Sequence, residues 1–260
     1  MNTLICDADV FCYQFAFRNE ARFKWDEDDE EDTVVIQPEV AKAEVLTFVD
    51  DICSRLDGDR VYFALSDRSA NFRKELEPTY KGNRKSTKPE LWETLRSFIE
   101  SGDHGFPVRT FPRLEGDDVL GMMGTHPKHG KRAIMVTIDK DMKTIPGRVF
   151  FYNKPTDSDG NTLVHHIEPD EAVRFHLLQT LMGDPVDGYK GIPGVGPKKA
   201  EAQLKDVPVA GLWDAVVEMY DHYGLTEDDA ILQARLAYIL RYGDYKGGKV
   251  RLWHPRRLKG

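Results

Sequence analysis

Three short apolar runs, Thr3 to Cys6, Arg60 to Leu65 and Arg132 to Ile138, each give way within two residues to an aspartate: Asp7, Asp67 and Asp139. The runs are rich in β-branched and aromatic residues, and segments with helical spacing separate them, a pattern that predicts βαβ units and a largely parallel sheet. In an open parallel sheet the carboxyl ends of the strands share one edge, and ligands bind there. The pattern therefore carries three carboxylates from distant parts of the chain to one place.

The rest of the chain fits an α/β protein with a helical second half. Pro38 is placed to open a helix whose apolar positions Val45, Val49, Ile52 and Leu56 recur three to four apart. A short helix is expected over Asp118 to Met123, after the turn at Leu114-Glu115-Gly116. Phe150 to Tyr152 and Thr162 to His166 flank Asp159-Gly160, a hairpin signal. Beyond Glu168 the spacing is helical apart from the loop Gly183 to Gly196. With 260 residues there is length for one α/β domain plus a helical extension; the boundaries expected are 1–167 and 168–260.

Charge is distributed unevenly. The net formal charge of -8 argues against a nucleic-acid partner, but from Arg68 to Lys88 seven basic residues face two acidic ones, and Arg251, Arg256, Arg257 and Lys259 add a second basic cluster. Asp26 to Asp32 reads as a solvated acidic loop. Cys6, Cys12 and Cys53 lack zinc-site spacing and fit reduced thiols. No basic-then-apolar leader and no apolar run of membrane length is present. The expectation is a protein of the cytoplasm, without membrane contact.

Nine acids stand out by position: Asp7, Asp67, Glu115, Asp117, Asp118, Asp139, Asp141, Asp184 and Asp187. A lone aspartate after a strand is ordinarily a turn or cap residue, but capping does not account for five separate sites in one chain. If so many carboxylates converge, they need cations to offset their repulsion. All-oxygen donors select a hard ion, Mg²⁺ or Mn²⁺, over zinc, and two such ions suit hydrolysis of a phosphodiester. Asp9 is ambiguous and reads as a supporting acid.

The stretches ICDADVF from Ile5, ALSDRSANFRKEL from Ala64, PTYKGNRK from Pro78, LEGDDVLG from Leu114, TIDKDMKTIP from Thr137 and GDPVDGYKGIPGVGPKKA from Gly183 resemble the structure-specific 5′ nucleases. That family comprises flap endonucleases and 5′-to-3′ exonucleases, and the likeness is greatest to the exonucleases of T7-like phages. It extends to Ala237-ILRYGDY and the Leu252-Trp253-His254-Pro255-Arg256 end.

The resemblance implies a PIN-like domain, with a mostly parallel central sheet flanked by helices, and a helical C-terminal part with a helix-turn-helix. It implies two Mg²⁺ or Mn²⁺ ions, the first among Asp7, Asp67, Glu115, Asp117 and Asp118, the second among Asp139, Asp141, Asp184 and Asp187. Lys81 matches the family's catalytic lysine, at the base of an arch spanning about 81–115. Tyr80 would stack on a base, and Arg73, Arg84 and Lys85 would hold phosphates. The loop with Gly191, Gly194 and Gly196, followed by Lys198 and Lys199, would grip duplex backbone, with K⁺ bound there.

The expected activity is a phage-type 5′-to-3′ exonuclease or flap endonuclease acting on duplex DNA with a 5′ end or flap. RNA primers in RNA–DNA hybrids are a further substrate, replication proteins are partners, and the chain acts as a monomer. The alternatives are a non-catalytic DNA-binding replication scaffold and, less favoured, a toxin-type RNase. Two other motifs fail: the glycine loop has Pro197 where a Walker A loop needs Lys, and Asp157, Asp159, Asn161 and Glu168 sit at EF-hand offsets with Thr162 at the glycine position.

Overall fold

A computed structural model of the chain describes residues 1–24, 33–83 and 88–255. The acidic run Asp26 to Asp32 and the basic pair Arg84 and Lys85 lie outside the described residues.

Strand β1 (Asn2–Asp7) leads directly into helix α1 (Ala8–Arg18), with Asp7 as its N-cap. A small antiparallel pair follows, β2 (Glu20–Phe23) with β3 (Thr33–Ile36). Helix α2 (Pro38–Leu56) starts on Pro38, as its fixed φ and missing N–H favour. It buries Val45, Val49, Ile52 and Leu56, the positions its periodicity picks out. Next come β4 (Gly58–Ala64), the short helix α3 (Phe72–Leu76), α4 (Leu91–Ser101), β5 (Val108–Arg109), α5 (Gly116–Gly124), β6 (Ala133–Thr137), β7 (Gly147–Phe151) and β8 (His165–Ile167). The second half is helical: α6 (Pro169–Met182), α7 (Pro197–Leu204), α8 (Leu212–His222) and α9 (Glu227–Ala237), before the short pair β9 (Tyr245–Lys246) and β10 (Lys249–Val250).

Six strands form the central sheet in the order β5-β4-β1-β6-β7-β8, parallel except for β8, which turns back antiparallel on β7. The turn between β7 and β8 is a carboxylate-centred one: Asp157 accepts from the backbone N–H of both Asp159 and Asn161 at 2.9 Å. That engagement disposes of the EF-hand reading.

Both faces of the sheet are covered, and the alternation along the central strands decides which core each residue joins. Leu4 and Cys6 of β1, with Ile134 and Val136 of β6, join Phe11, Phe15, Val45 and Leu95 on the side of α1, α2 and α4. Ile5, Ala133 and Met135 join the opposite layer with Val119, Leu177, Leu181, Val216, Tyr220 and Trp253. This second layer runs unbroken across the expected boundary between residues 167 and 168.

The arch expected over 81–115 takes another form where it is described. Helix α4 is strongly amphipathic, and Leu91, Leu95 and Ile99 are fully buried against the rest of the first layer, which fixes it to the body of the protein. Transferring three such side chains from water stabilises that docking by roughly 5 kcal/mol or more.

Candidate active site

The parallel strands aim their carboxyl ends at one edge, and a cleft of about 550 Å³ opens there. Asp7, Asp67, Glu115, Asp117, Asp139 and Asp187 line it, together with Asp9, Lys81, Arg68, Lys88, Tyr13 and Trp92. The acids thus arrive from the end of β1, the loop after β4, the start of α5, the loop after β6 and the glycine-rich loop after α6. Asp141 faces a smaller adjoining recess that it shares with Asp117, Asp187 and Tyr189.

Local backbone holds Asp7 and Asp139 as well. Asp7 is 2% exposed; one oxygen accepts from Val10 N, the other from the Thr137 hydroxyl at 2.8 Å. Burial and the negative charge of Asp9 push its pKa up to about 7. Burial, then the charges of Asp139 and Asp7, raise Asp117 well above the usual carboxylate range. Asp139 caps the turn after β6 by accepting from Asp141 N at 2.8 Å, and burial raises it too. Asp141 accepts from the Gln179 amide at 2.7 Å and stands at about 7, raised by burial and by Asp139.

Glu115 is the contrast. Burial alone would raise its carboxyl, but the Lys81 ammonium and the Arg73 guanidinium outweigh it and hold the pKa at about 2. Lys81 reaches Glu115 at 2.5 Å and Asp187 at 3.4 Å. Its backbone has φ 55°, an uncommon left-handed setting for a residue with a side chain. The Lys81 N–H donates to the Asp187 carbonyl at 2.8 Å, tying the two loops together.

Four expectations need correction. Asp118 does not line the cleft: it is completely buried, and its carboxylate accepts from both Arg73 Nη atoms at 2.8 Å, from Leu240 N and from Glu115 N. With both oxygens so engaged it serves the packing of the site floor and leaves no lone pair facing an ion. Arg73 is no phosphate ligand, being 2% exposed with its remaining donors spent on Glu115 and the carbonyls of Leu236 and Tyr238. Tyr80 is also 2% exposed and offers no ring face to a base; its hydroxyl lies 3.1 Å from both Glu115 and Asp187. Gly191 gives its N–H to Gln233 and packs against Gly183, where a Cβ on Gly191 would lie 2.2 Å from the Gly183 nitrogen. At that crossing glycine serves close packing.

Two more acids keep their ordinary local roles. Asp184 is buried in a turn, accepting from Val186 N at 2.7 Å, and adds its charge to the surroundings of Asp141. Asp67 lines the cleft, but the N–H groups of Arg113 and Ser69 engage its oxygens and lower its pKa. Among the described residues no group of three or more His, Cys, Asp or Glu side chains stands arranged to ligate one ion among themselves. Away from the cleft, Gly194, Gly196, Lys198 and Lys199 are exposed around the start of α7, and Lys199 donates to the Gly194 carbonyl at 3.2 Å. No described helix is long and apolar enough to cross a membrane.

The spacing of the acids gave no sign of the cleft's cationic and aromatic wall. The Lys88 ammonium sits 3.4 Å from the centre of the Trp92 ring, and Tyr13 packs beside that ring at 5.7 Å. Lys88 and Arg68 belong to the basic segment noted in the sequence, but only the fold of α4 brings them over the acids.

Comparison with known proteins accords with this architecture. Residues 3–172 match the family model described as the 5′-3′ exonuclease N-terminal resolvase-like domain. The exodeoxyribonuclease of Enterobacteria phage T3 is 34% identical over 234 residues, 76% of this chain and 74% of that one. The exonuclease of Escherichia phage T7 is 34% identical over 233 residues, 76% and 75% of the two chains. Among solved structures the bacteriophage T5 5′-exonuclease, with bound divalent metal ions, superposes with a TM-score of 0.65 at 17% identity, over 91% of this chain and 93% of that one. The match over most of the resolvase-like fold, with the acids gathered at its strand ends, makes this chain a nuclease belonging to the 5′-3′ exonuclease family.

Proposed function

We propose that the chain hydrolyses DNA phosphodiesters at or near a 5′ end or flap, with Mg²⁺ or Mn²⁺ as the required ions. The observation that carries this reading is the cluster of Asp7, Asp117, Asp139 and Asp141, whose carboxyls are all pushed upward by burial, with neighbouring acids adding to the rise. Such a cluster is costly unless positive charge joins it.

The donors are all oxygen, which suits a hard cation. Asp7, Glu115 and Asp117 would hold one ion, with Asp67 beside them, and Asp139, Asp141 and Asp187, with Asp184 behind them, the other. Mg²⁺ keeps much of its water and takes few protein ligands directly, in keeping with the spread of these carboxylates. When bound, such ions lower the pKa of an attacking water and stabilise charge on the attacking and leaving oxygens.

The chain's own groups divide the remaining work. The Thr137 hydroxyl and the Val10 N–H orient Asp7. The Lys81 ammonium lies at the cleft mouth on Glu115 and Asp187, within reach of a phosphate that enters there, and can offset charge as it develops. Lys88 supplies positive charge for the strand's phosphates, while Arg68 is paired with Glu93 and Glu100. Lys198 and Lys199 at the start of α7 hold the duplex backbone, and the loop from Gly191 to Gly196 would take a K⁺. A T5 flap endonuclease of related fold is known in complex with DNA and metal ions, which agrees with this assignment. RNA in a hybrid is a second substrate, and the chain works as a monomer in the cytoplasm.

The test is cleavage of a 5′-labelled duplex bearing a single-stranded flap, with Mg²⁺ and with EDTA. Release of short 5′ fragments only with the metal is expected, and Asp117→Asn should remove it while binding of the DNA persists. Undiminished cleavage in EDTA, or by Asp117→Asn, overturns the reading.

A further inference from the structure

Asp9 lines the acid cleft, and the protein engages both of its oxygens. Oδ1 accepts from the Arg96 guanidinium, and Oδ2 accepts from Ser66 N at 2.8 Å and Ser66 Oγ at 2.6 Å. Ser66 Oγ accepts in turn from Gly116 N at 2.8 Å. Arg96 also donates to the Ser66 carbonyl at 2.5 Å and to Glu100 at 2.8 Å, and its side chain is only 2% exposed.

These contacts join three segments that carry cleft acids to a fourth that forms the cleft wall. Asp9 is two residues past Asp7, Ser66 immediately precedes Asp67, and Gly116 lies between Glu115 and Asp117. Arg96 comes from α4, the helix whose Trp92 and neighbouring Lys88 form the cleft wall. There is no slack at the joint: a Cβ on Gly116 would lie 2.5 Å from Asp9 Oδ2.

We infer that Asp9 and Arg96 act, through Ser66, as a positioning pair that sets the spacing of Asp7, Asp67, Glu115 and Asp117 and thereby the affinity of the cleft for divalent cations. Neither residue touches the ion. The inference rests on the metal-dependent reading proposed above. Partners that orient ligands in this way commonly change metal affinity roughly ten- to a hundredfold when removed.

The experiment measures Ca²⁺ and Mn²⁺ binding by calorimetry, without DNA and without turnover, for the full chain and for Asp9→Asn, Arg96→Met and the double variant. Melting temperature is followed alongside. Asp9→Asn keeps the shape and loses the charge, and affinity should drop about tenfold or more. Arg96→Met strands a carboxylate and should also lower the melting temperature. The double variant leaves no unpaired charge and should recover much of that loss, but not the affinity. With Mg²⁺ on the flap substrate, kcat should fall while KM for DNA stays within about twofold, and added Mn²⁺ should restore part of the rate.

Affinity of Asp9→Asn within twofold of the unaltered chain overturns the inference. So does recovery of affinity together with melting temperature in the double variant, since that makes the pair merely structural. Absence of cation binding by the unaltered chain is the separate result that defeats the metal reading itself.

Discussion

The two sides of the acid cleft use the same residue types at similar depth and end with opposite electrostatics. On one side Glu115, above the buried Asp118, meets Arg73 and Lys81 and is held at about 2. On the other, Asp7 and Asp141 are raised to about 7 and Asp117 higher than the usual range, with burial the leading cause. Burial alone therefore does not tell a functional acid from a structural one; the identity of the nearest cation does. The first side is already neutralised by the chain. On the proposed reading the second takes its positive charge from bound ions.

The two sides therefore break differently. The largest effect expected is on the second side: Asp139→Asn should lower cleavage roughly ten-thousandfold, about 5 kcal/mol of barrier, without loss of folding. Single-turnover rates on a flap substrate decide this, and a variant within tenfold of the unaltered chain removes Asp139 from the chemistry. On the first side the loss is of stability. Arg73→Met leaves Asp118 buried and unpaired, at a cost of about 3–5 kcal/mol, to be read from urea midpoints at constant slope.

Acidity sharpens the comparison next. Asp7 and Asp141 have folded-state pKa values raised above the ordinary aspartate value of 3.8, to about 7. Protons bound below that range stabilise the metal-free fold, and the contribution is lost as pH rises through about 7. Melting in EDTA should therefore fall between pH 5 and pH 8 by roughly 5 °C, and Mg²⁺ should reverse the fall at pH 8. His176 works the other way: burial lowers its pKa to about 4, so its contribution is present above 6.5 and lost as pH drops through 4. Asp7→Asn should flatten the high-pH arm and leave the acid arm of His176 in place. The smallest effect belongs to the surface of α7, where Lys199→Ala should reduce the salt slope of duplex binding by about one and weaken all sequences alike.

Much of the strand-end geometry was legible in the sequence, because an apolar run followed by Asp encodes both the strand and its exit. Asp7, Asp117, Asp139 and Asp141 could be named from spacing alone. Their cations could not. Arg73 and Asp118 stand 45 residues apart, and nothing in RKEL says that the guanidinium turns inward to five oxygen partners. Arg96 and Asp9 are 87 residues apart, and α4 had to dock before that pair existed. Tyr80 and Gly191 carried the right residue types for contact with DNA, but side-chain direction and the close crossing with Gly183 are tertiary facts. The periodicity of α4 was present in the sequence, yet its location inside an expected arch hid a helix that is part of the core.

The backbone of residues 236–240 closes around the Arg73–Asp118 pair, Leu236 and Tyr238 by their carbonyls and Leu240 by its N–H. The floor under Glu115 and Asp117 is thus closed by a segment more than 100 residues further along, so the helical half is a structural part of the cleft, and a fragment ending before residue 236 leaves that buried ion pair open to water.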